Sequence, residues 1–201
     1  IDLSSANGSA ATFTQSSGTS LTNNGTISVL SANGGGRALN GVVSNSSTGS
    51  ISMNGIGLAS NSSTQVTNDG SVSLTNGVWT ITNGSFNNAS SGSVAAAGSG
   101  ELLVLGASGS LTQGSGTSSG NPMVVQSGSL TYTGTGSSDS VVLLGSVGVA
   151  GTMHAGETLN IEGTGATGDA VATAAASFTN NGTIDLSSAN GSAATFTQSS
   201  G

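Results

Sequence analysis

The residues best suited to chemistry fall in one short stretch, where His154 and Glu157 form an H-x-x-E pair and Glu162 and Asp169 follow. A metal site needs three or four converging ligands. With one histidine and no cysteine in the chain, only an oxygen-rich calcium site is open. The Gly-Gly-x-Gly-x-Asp calcium repeat is missing, so these groups read as solvated charges on a loop. The same stretch holds Gly163-x-Gly165-x-x-Gly168, with Asp185 further on, which is the spacing of a dinucleotide fingerprint. In a chain with 34 glycines that spacing arises by chance, and no series of helical patterns could cover a doubly wound sheet. A P-loop is excluded because there is no lysine. Carboxylate pairs fare no better. Glu157 and Glu162 sit on opposite faces of a continuous strand, while Asp2, Asp69, Glu101, Asp139 and Asp169 are scattered. His154 is the only possible base for a serine nucleophile. The expectation is a chain that is not an enzyme and holds no cofactor or metal.

Charge and composition narrow the partners. The formal net charge is −7, with eight acids and Arg37 as the only strong base, which argues against nucleic acid and against anionic membranes. No apolar run approaches the roughly 20 residues of a spanning helix, so no membrane insertion is expected. Without cysteine, stability must come from stacking and hydrogen bonds. Gly, Ser, Thr and Asn dominate, as in a disordered linker, but a linker carries more charge and more than one proline. Small apolar residues recur evenly and suit a thin core along a rod.

The elements that would position any site are set by two nested repeats. Residues 1–18 recur letter for letter as residues 184–201, so residues 1–183 read as one tandem unit and 184–201 as the start of the next, identical one. Inside the unit, a Gly, then Ser or Thr, then an apolar residue recurs at Gly25, Gly49, Gly70, Gly92, Gly109, Gly128, Gly151 and Gly182. These glycines are expected at tight corners that require positive φ. The residues that follow alternate apolar with polar, the period of a half-buried strand. The predicted core is Ile27, Val29, Ile51, Met53, Val72, Leu74, Val94, Leu111, Leu130, Met153, Ile184 and Leu186. The spacing predicts an all-β, right-handed parallel β-solenoid (β-helix) of about eight coils per 183-residue unit. Two stretches fit poorly. The step from Gly92 to Gly109 reads as a coil with a clipped corner, and the step from Gly151 to Gly182 as a protruding loop or a hidden ninth coil near Leu159 and Ile161. Residues 170–177 suit a short helix or a tight corner.

Other motifs take bland readings. Thr-x-Thr at 12–14, 80–82, 131–133 and 195–197 resembles ice-binding solenoids but skips coils. Asn-x-Ser/Thr tripeptides at Asn7, Asn24, Asn45, Asn61, Asn83, Asn88, Asn181 and Asn190 read as corner chemistry in preference to glycosylation. Stacked asparagines inside the corners would form amide ladders along the axis.

The phrases Phe178-Thr-Asn-Asn-Gly-Thr-Ile-Asp-Leu186 and Leu21-Thr-Asn-Asn-Gly-Thr-Ile-Ser-Val29 resemble the degenerate repeats of autotransporter and filamentous-haemagglutinin-like bacterial surface adhesins. The resemblance implies an exported β-helical stalk at the cell surface that serves adhesion, aggregation or biofilm formation. It carries over no catalytic residues. The expected partners are further identical units in the same chain, neighbouring fibres by lateral bundling, and surface glycans. In the alternative reading, a multivalent carbohydrate-binding adhesin, Tyr132, Trp79 and Asp139 are exposed and form weak repeated sites. A polysaccharide-active β-helix enzyme would depend on Glu157 or Glu162.

Overall fold

Alternating small apolar and Ser/Thr residues make short strands, and Asn, Gly and Ser interruptions turn each strand into the next without reversing the chain. The computed structural model describes residues 1–5, 7–31, 34–135 and 138–199. All regular elements among them are strands.

Coil 1 comprises β1 (Asp2–Leu3), β2 (Ala11–Thr14) and β3 (Ser20–Asn23). Coil 2 comprises β4 (Thr26–Leu30), β5 (Arg37–Asn40) and β6 (Val42–Asn45). Coil 3 comprises β7 (Ser50–Asn54), β8 (Leu58–Ser60) and β9 (Gln65–Asn68). Coil 4 comprises β10 (Ser71–Thr75), β11 (Val78–Thr82) and β12 (Ser85–Asn88). Coil 5 comprises β13 (Ser93–Ala97), β14 (Glu101–Leu105) and β15 (Ser110–Gln113). Coil 6 comprises β16 (Thr117–Gly120), β17 (Met123–Gln126) and β18 (Ser129–Tyr132). Coil 7 has β19 (Ser140–Leu144) and β20 (Ser146–Met153), and coil 8 has β21 (Thr158–Gly163) and β22 (Ala170–Ala174). Coil 9 has β23 (Thr179–Asn180), β24 (Thr183–Ser188) and β25 (Ala194–Gln198).

Like strands stack in parallel into three faces. The first runs β1-β4-β7-β10-β13-β16, the second β2-β5-β8-β11-β14-β17-β19-β21-β24, and the third β3-β6-β9-β12-β15-β18-β20-β22-β25. The fold is an all-β parallel solenoid.

Inward side chains stack in register, so the core is a set of columns. On the first face Ile27, Ile51, Val72 and Val94 form one column and Val29, Met53 and Leu74 a second, all nearly inaccessible. On the third face the column is Val43, Val66, Phe86, Leu111, Leu130 and Val149. Full burial of each such side chain is worth about 1.5–3 kcal/mol, which replaces the single large core of a globule. Met153 is fully buried and Ile184 half-buried. Leu186, predicted in the core, is 55% exposed. Its strand β24 is the last of the second face, so its inward side chain is covered from one side only.

Two readings of the short repeat are corrected, and the additional coil offered near Leu159 and Ile161 is present. Gly25, Gly49, Gly70 and Gly92 precede first-face strands, but Gly109 and Gly128 precede third-face strands and Gly182 a second-face strand. The tripeptide therefore marks the start of a strand and not a particular face. The Gly92 to Gly109 step is a move from the first to the third face, with no clipped coil. The Gly151 to Gly182 step contains β21, where Leu159 and Ile161 are fully buried, and residues 170–174 are strand β22.

Most of these glycines are there for a different reason than φ, Gly25 excepted, where a Cβ would meet nothing within 4 Å. Of the eight, only Gly151 has positive φ (91°). At Gly70 a Cβ would lie 2.2 Å from the Ser46 carbonyl oxygen, and at Gly92 2.1 Å from that of Asn68. Backbone of adjacent coils packs too closely there for any side chain. Positive φ is used at the turn from second to third face, by Asn83, Gly106, Ser127 and Gly145.

The expected count of about eight coils per unit holds, with a remainder of one face. The first copy of the repeated segment places Phe13 on the second face, and the second copy places Phe196 on the third. Eight steps separate β2 from β24 on the second face, so the same sequence returns after eight turns plus one face. Ser200 and Gly201, the end of the second copy, lie outside the described residues.

Candidate functional site

The residues singled out for chemistry are dispersed or engaged in structure. The His154 backbone N–H donates to the Glu157 carboxylate, and the His154 ring Nε2 lies 2.8 Å from the Gly134 carbonyl oxygen. Glu157 is only 2% exposed, so it is a buried corner residue and not a solvated charge. Glu162 lies on the outer side of β21, and Asp169 accepts from the Ala193 N–H at 2.8 Å. Among the described residues no group of three His, Cys, Asp or Glu converges on a metal position. The Gly163 to Gly168 motif is a tight turn, closed by an antiparallel bridge between Thr164 and Gly168 and a 2.7 Å contact between the Thr164 and Thr167 hydroxyls. Strand β22 follows it, with no helix N-terminus to receive a phosphate.

The aromatic residues expected on the surface are inside. Trp79 is fully buried, donates from Nε1 to Ser60 Oγ at 3.0 Å, and meets Phe86 edge-on at 5.8 Å. Tyr132 is 3% exposed and Asp139 6%. The Tyr132 hydroxyl is buried without a hydrogen-bond partner, and its phenol is pushed up by burial and by the carboxylates of Asp139 and Glu157. An exposed Trp79, Tyr132 and Asp139 platform for sugars is therefore overturned. Trp79 shares the inward side of its strand with Ile81, and Tyr132 with Leu130.

Arg37 is 1% exposed, and its guanidinium donates to the carbonyls of Leu3, Leu30, Gly35 and Gly36. Carbonyl dipoles replace the lost hydration of this cation. It is inaccessible to an anionic ligand and to trypsin. The Thr-x-Thr segments divide between two faces, with 12–14 and 80–82 on the second and 131–133 and 195–197 on the third.

The most ordered polar arrangement is a ladder at the turn from third to first face. Asn23 Nδ2 donates to Asn45 Oδ1 at 2.7 Å, Asn45 to Asn68 at 2.8 Å, Asn68 to Asn88 at 3.1 Å, and Asn88 to Gln113 Oε1 at 3.3 Å. The second hydrogen of each asparagine amide goes to a backbone carbonyl of the coil above, at Ser50, Ser71, Ser93 and Thr117. All five side chains are buried. Asn45 and Asn88 belong to Asn-x-Ser/Thr tripeptides, whereas Asn7, Asn24, Asn61, Asn83, Asn181 and Asn190 are exposed. The rungs Asn23, Asn68 and Gln113 were missed. The available signal was an amide ending the third-face strand of each of coils 1 to 5, followed in the first four by the Gly-Ser/Thr-apolar tripeptide.

No helix long and apolar enough to cross a membrane occurs among the described residues. The site and fold define a β-solenoid repeat whose organised polar groups serve stacking. No family model matches the chain, and a search of curated proteins gives no match. Among solved structures the chain has a similarity to the crystal structure of a TibC-catalysed hyper-glycosylated TibA fragment. They are 14% identical over 96% of this chain and 100% of that one, with a TM-score of 0.18. At that score the two backbones do not superpose.

Proposed function

We propose that this chain is a stretch of an extracellular structural fibre or stalk of a bacterial surface adhesin, serving attachment, aggregation or biofilm matrix, with no catalytic step. The observation that carries the reading is the combination of a letter-perfect long repeat with a core made of columns, which extends without limit as units are added. In that role further identical units of the same chain are the main partner. Ser, Thr and Asn on the outer faces leave little charge to keep rods apart, which favours lateral bundling.

The test is electron microscopy of chains with three, six and nine units. At about 4.8 Å per coil, rod length should rise by about 40 Å per unit. Cells displaying the longer chains should attach and aggregate more than cells displaying the shorter ones. Compact or flexible particles, or attachment independent of the units, would overturn the reading. Folded rods should also resist trypsin at Arg37, with cleavage appearing only in denaturant.

A further inference from the structure

Most outward positions are small and polar. On the first face Ser28, Ser52 and Ser73 stack in register, and on the third Thr22, Ser44, Thr67, Asn87, Thr112 and Thr131 do. The second face departs from this in coils 5 to 7. There Leu103, Val124 and Val142 stand in one outward register column, with Leu105 and Leu144 beside them. Below the patch the outward residues of the same face are Thr12, Thr14, Ala38, Asn40 and Ala59, then Val78, Thr80 and Thr82 in coil 4, and above it they include Asn160 and Asp185. Val124 is only 6% exposed although it points outward, because it forms the floor of a groove of about 370 Å³ between its larger neighbours.

Two acids stand at opposite corners of this groove. Glu101 begins β14 in coil 5, and Glu162 lies near the end of β21 in coil 8. Burial pushes the Glu101 carboxyl up, so that acid is held against apolar surface where a cation would relieve it. The offset in coils and residues puts the two about 20 Å apart, the reach of roughly six extended residues.

We propose that this groove is a docking site for an extended segment of another protein that carries Lys or Arg at both ends of a short aliphatic run. A second copy of this chain is the poorer occupant. Its only cation, Arg37, is 1% exposed and bound to carbonyls. Anionic lipid is disfavoured by the same acids. Large aliphatic contacts with acidic ends match the stated peptide in both shape and charge.

The test is fluorescence polarisation of labelled peptides with the 201-residue chain. The probes are Lys-Leu-Val-Thr-Val-Leu-Lys, the same peptide with Glu at both ends, and Lys-Ser-Ser-Thr-Ser-Ser-Lys. Saturable binding is expected for the first alone. It should weaken at least tenfold in E101Q/E162Q and in V142D, and in 0.5 M salt for the charge-dependent part. Thermal melts of both variants establish that they fold. Absence of saturable binding by the first peptide, equal binding of all three, or affinity unchanged in E101Q/E162Q would overturn the proposal. Sedimentation of the chain alone supplies a further outcome. Self-association that V142D abolishes would assign the groove to a second copy instead. Rod length in the microscope does not depend on this groove, so failure here leaves the fibre reading standing, and the reverse also holds.

Discussion

Coils 1 to 5 and coils 7 to 9 wind the same backbone around different interiors. The lower coils have three full faces and a buried amide ladder at one corner, from Asn23 to Gln113. In coil 6 Tyr132 takes the ladder position, in register with Gln113, and brings a hydroxyl with no partner. Above it no first-face strand follows β16 among the described residues, and the core continues on Val141, Leu143, Leu159, Ile161 and a run of buried alanines at 170, 172 and 174. The two interiors solve one problem in different ways. A corner must either satisfy its inward polar groups in a continuous chain or remove them. The ladder does the first; in the upper coils apolar residues take most inward positions, and the polar groups that stay buried there include the carboxylates of Asp139 and Glu157.

The comparison is broken most sharply inside the ladder. Asn68→Ala removes the acceptor of Asn45 and the donor to Asn88 together and should cost about 3 kcal/mol in urea unfolding. Asn23→Ala, at the end of the ladder, should cost about 1 kcal/mol. Equal costs would mean the rungs are independent. Next in size is the close backbone approach at the same corner. Gly92→Ala places a Cβ 2.1 Å from the Asn68 carbonyl oxygen, and a loss of about 2–3 kcal/mol is expected. Gly25→Ala meets nothing within 4 Å and should be neutral within about 0.5 kcal/mol.

Tyr132→Phe sharpens the boundary between the two interiors. Removing a buried, unpartnered hydroxyl should leave stability unchanged or raise it by about 1 kcal/mol at neutral pH. The folded phenol titrates above its ordinary value of 10.0, so the wild type should lose stability as pH rises past that value, where the unfolded chain ionises first. The Phe variant should lose less. The smallest effect is expected at Glu101, whose folded carboxyl is raised above 4.5 by burial. The folded state there prefers the proton, so the stability that the protonated acid contributes is lost as pH rises through the folded value. Glu101→Gln should therefore be slightly more stable at pH 7 and equal to the wild type at pH 3, by paired thermal melts.

What the sequence discloses is strand, alternation and corner. What it withholds is the face. Residues 1–18 and 184–201 make this plain because they are the same text. Asn7 and Gly8 take φ of 58° and 78°, and Asn190 and Gly191 take 56° and 81°, so the local corner is written in the residues themselves. Phe13 nevertheless stacks on Leu39 in the second face, and Phe196 on Ala172 in the third. Period-two alternation carries parity but no address, and the coil already in place decides which wall the next strand extends. The same limit explains the motif errors. The Gly-Ser/Thr-apolar tripeptide was legible as a strand start and was wrongly aligned as a fixed position in the coil. Trp79 and Tyr132 stand outside only in the carbohydrate-binding alternative, which needs exposed rings, whereas each shares its strand's inward side with an aliphatic residue, Ile81 and Leu130. The outer aliphatic groove was out of reach for another reason. It exists only where Leu103, Val124 and Val142, distant in sequence, fall into one column.

The buried amides at Asn45 and Asn88 bear on the order of events in the life of the chain. Both sit in tripeptides that an asparagine-modifying enzyme reads as acceptors, yet both side chains are closed inside the ladder once the coils stack. A sugar found at either position would date its attachment to the time before that corner closed, and such a chain would carry a defect it could not fold around. Asn24 and Asn83, open to solvent, keep no such record. The pattern of occupied positions would thus serve as a clock, telling whether winding outran modification.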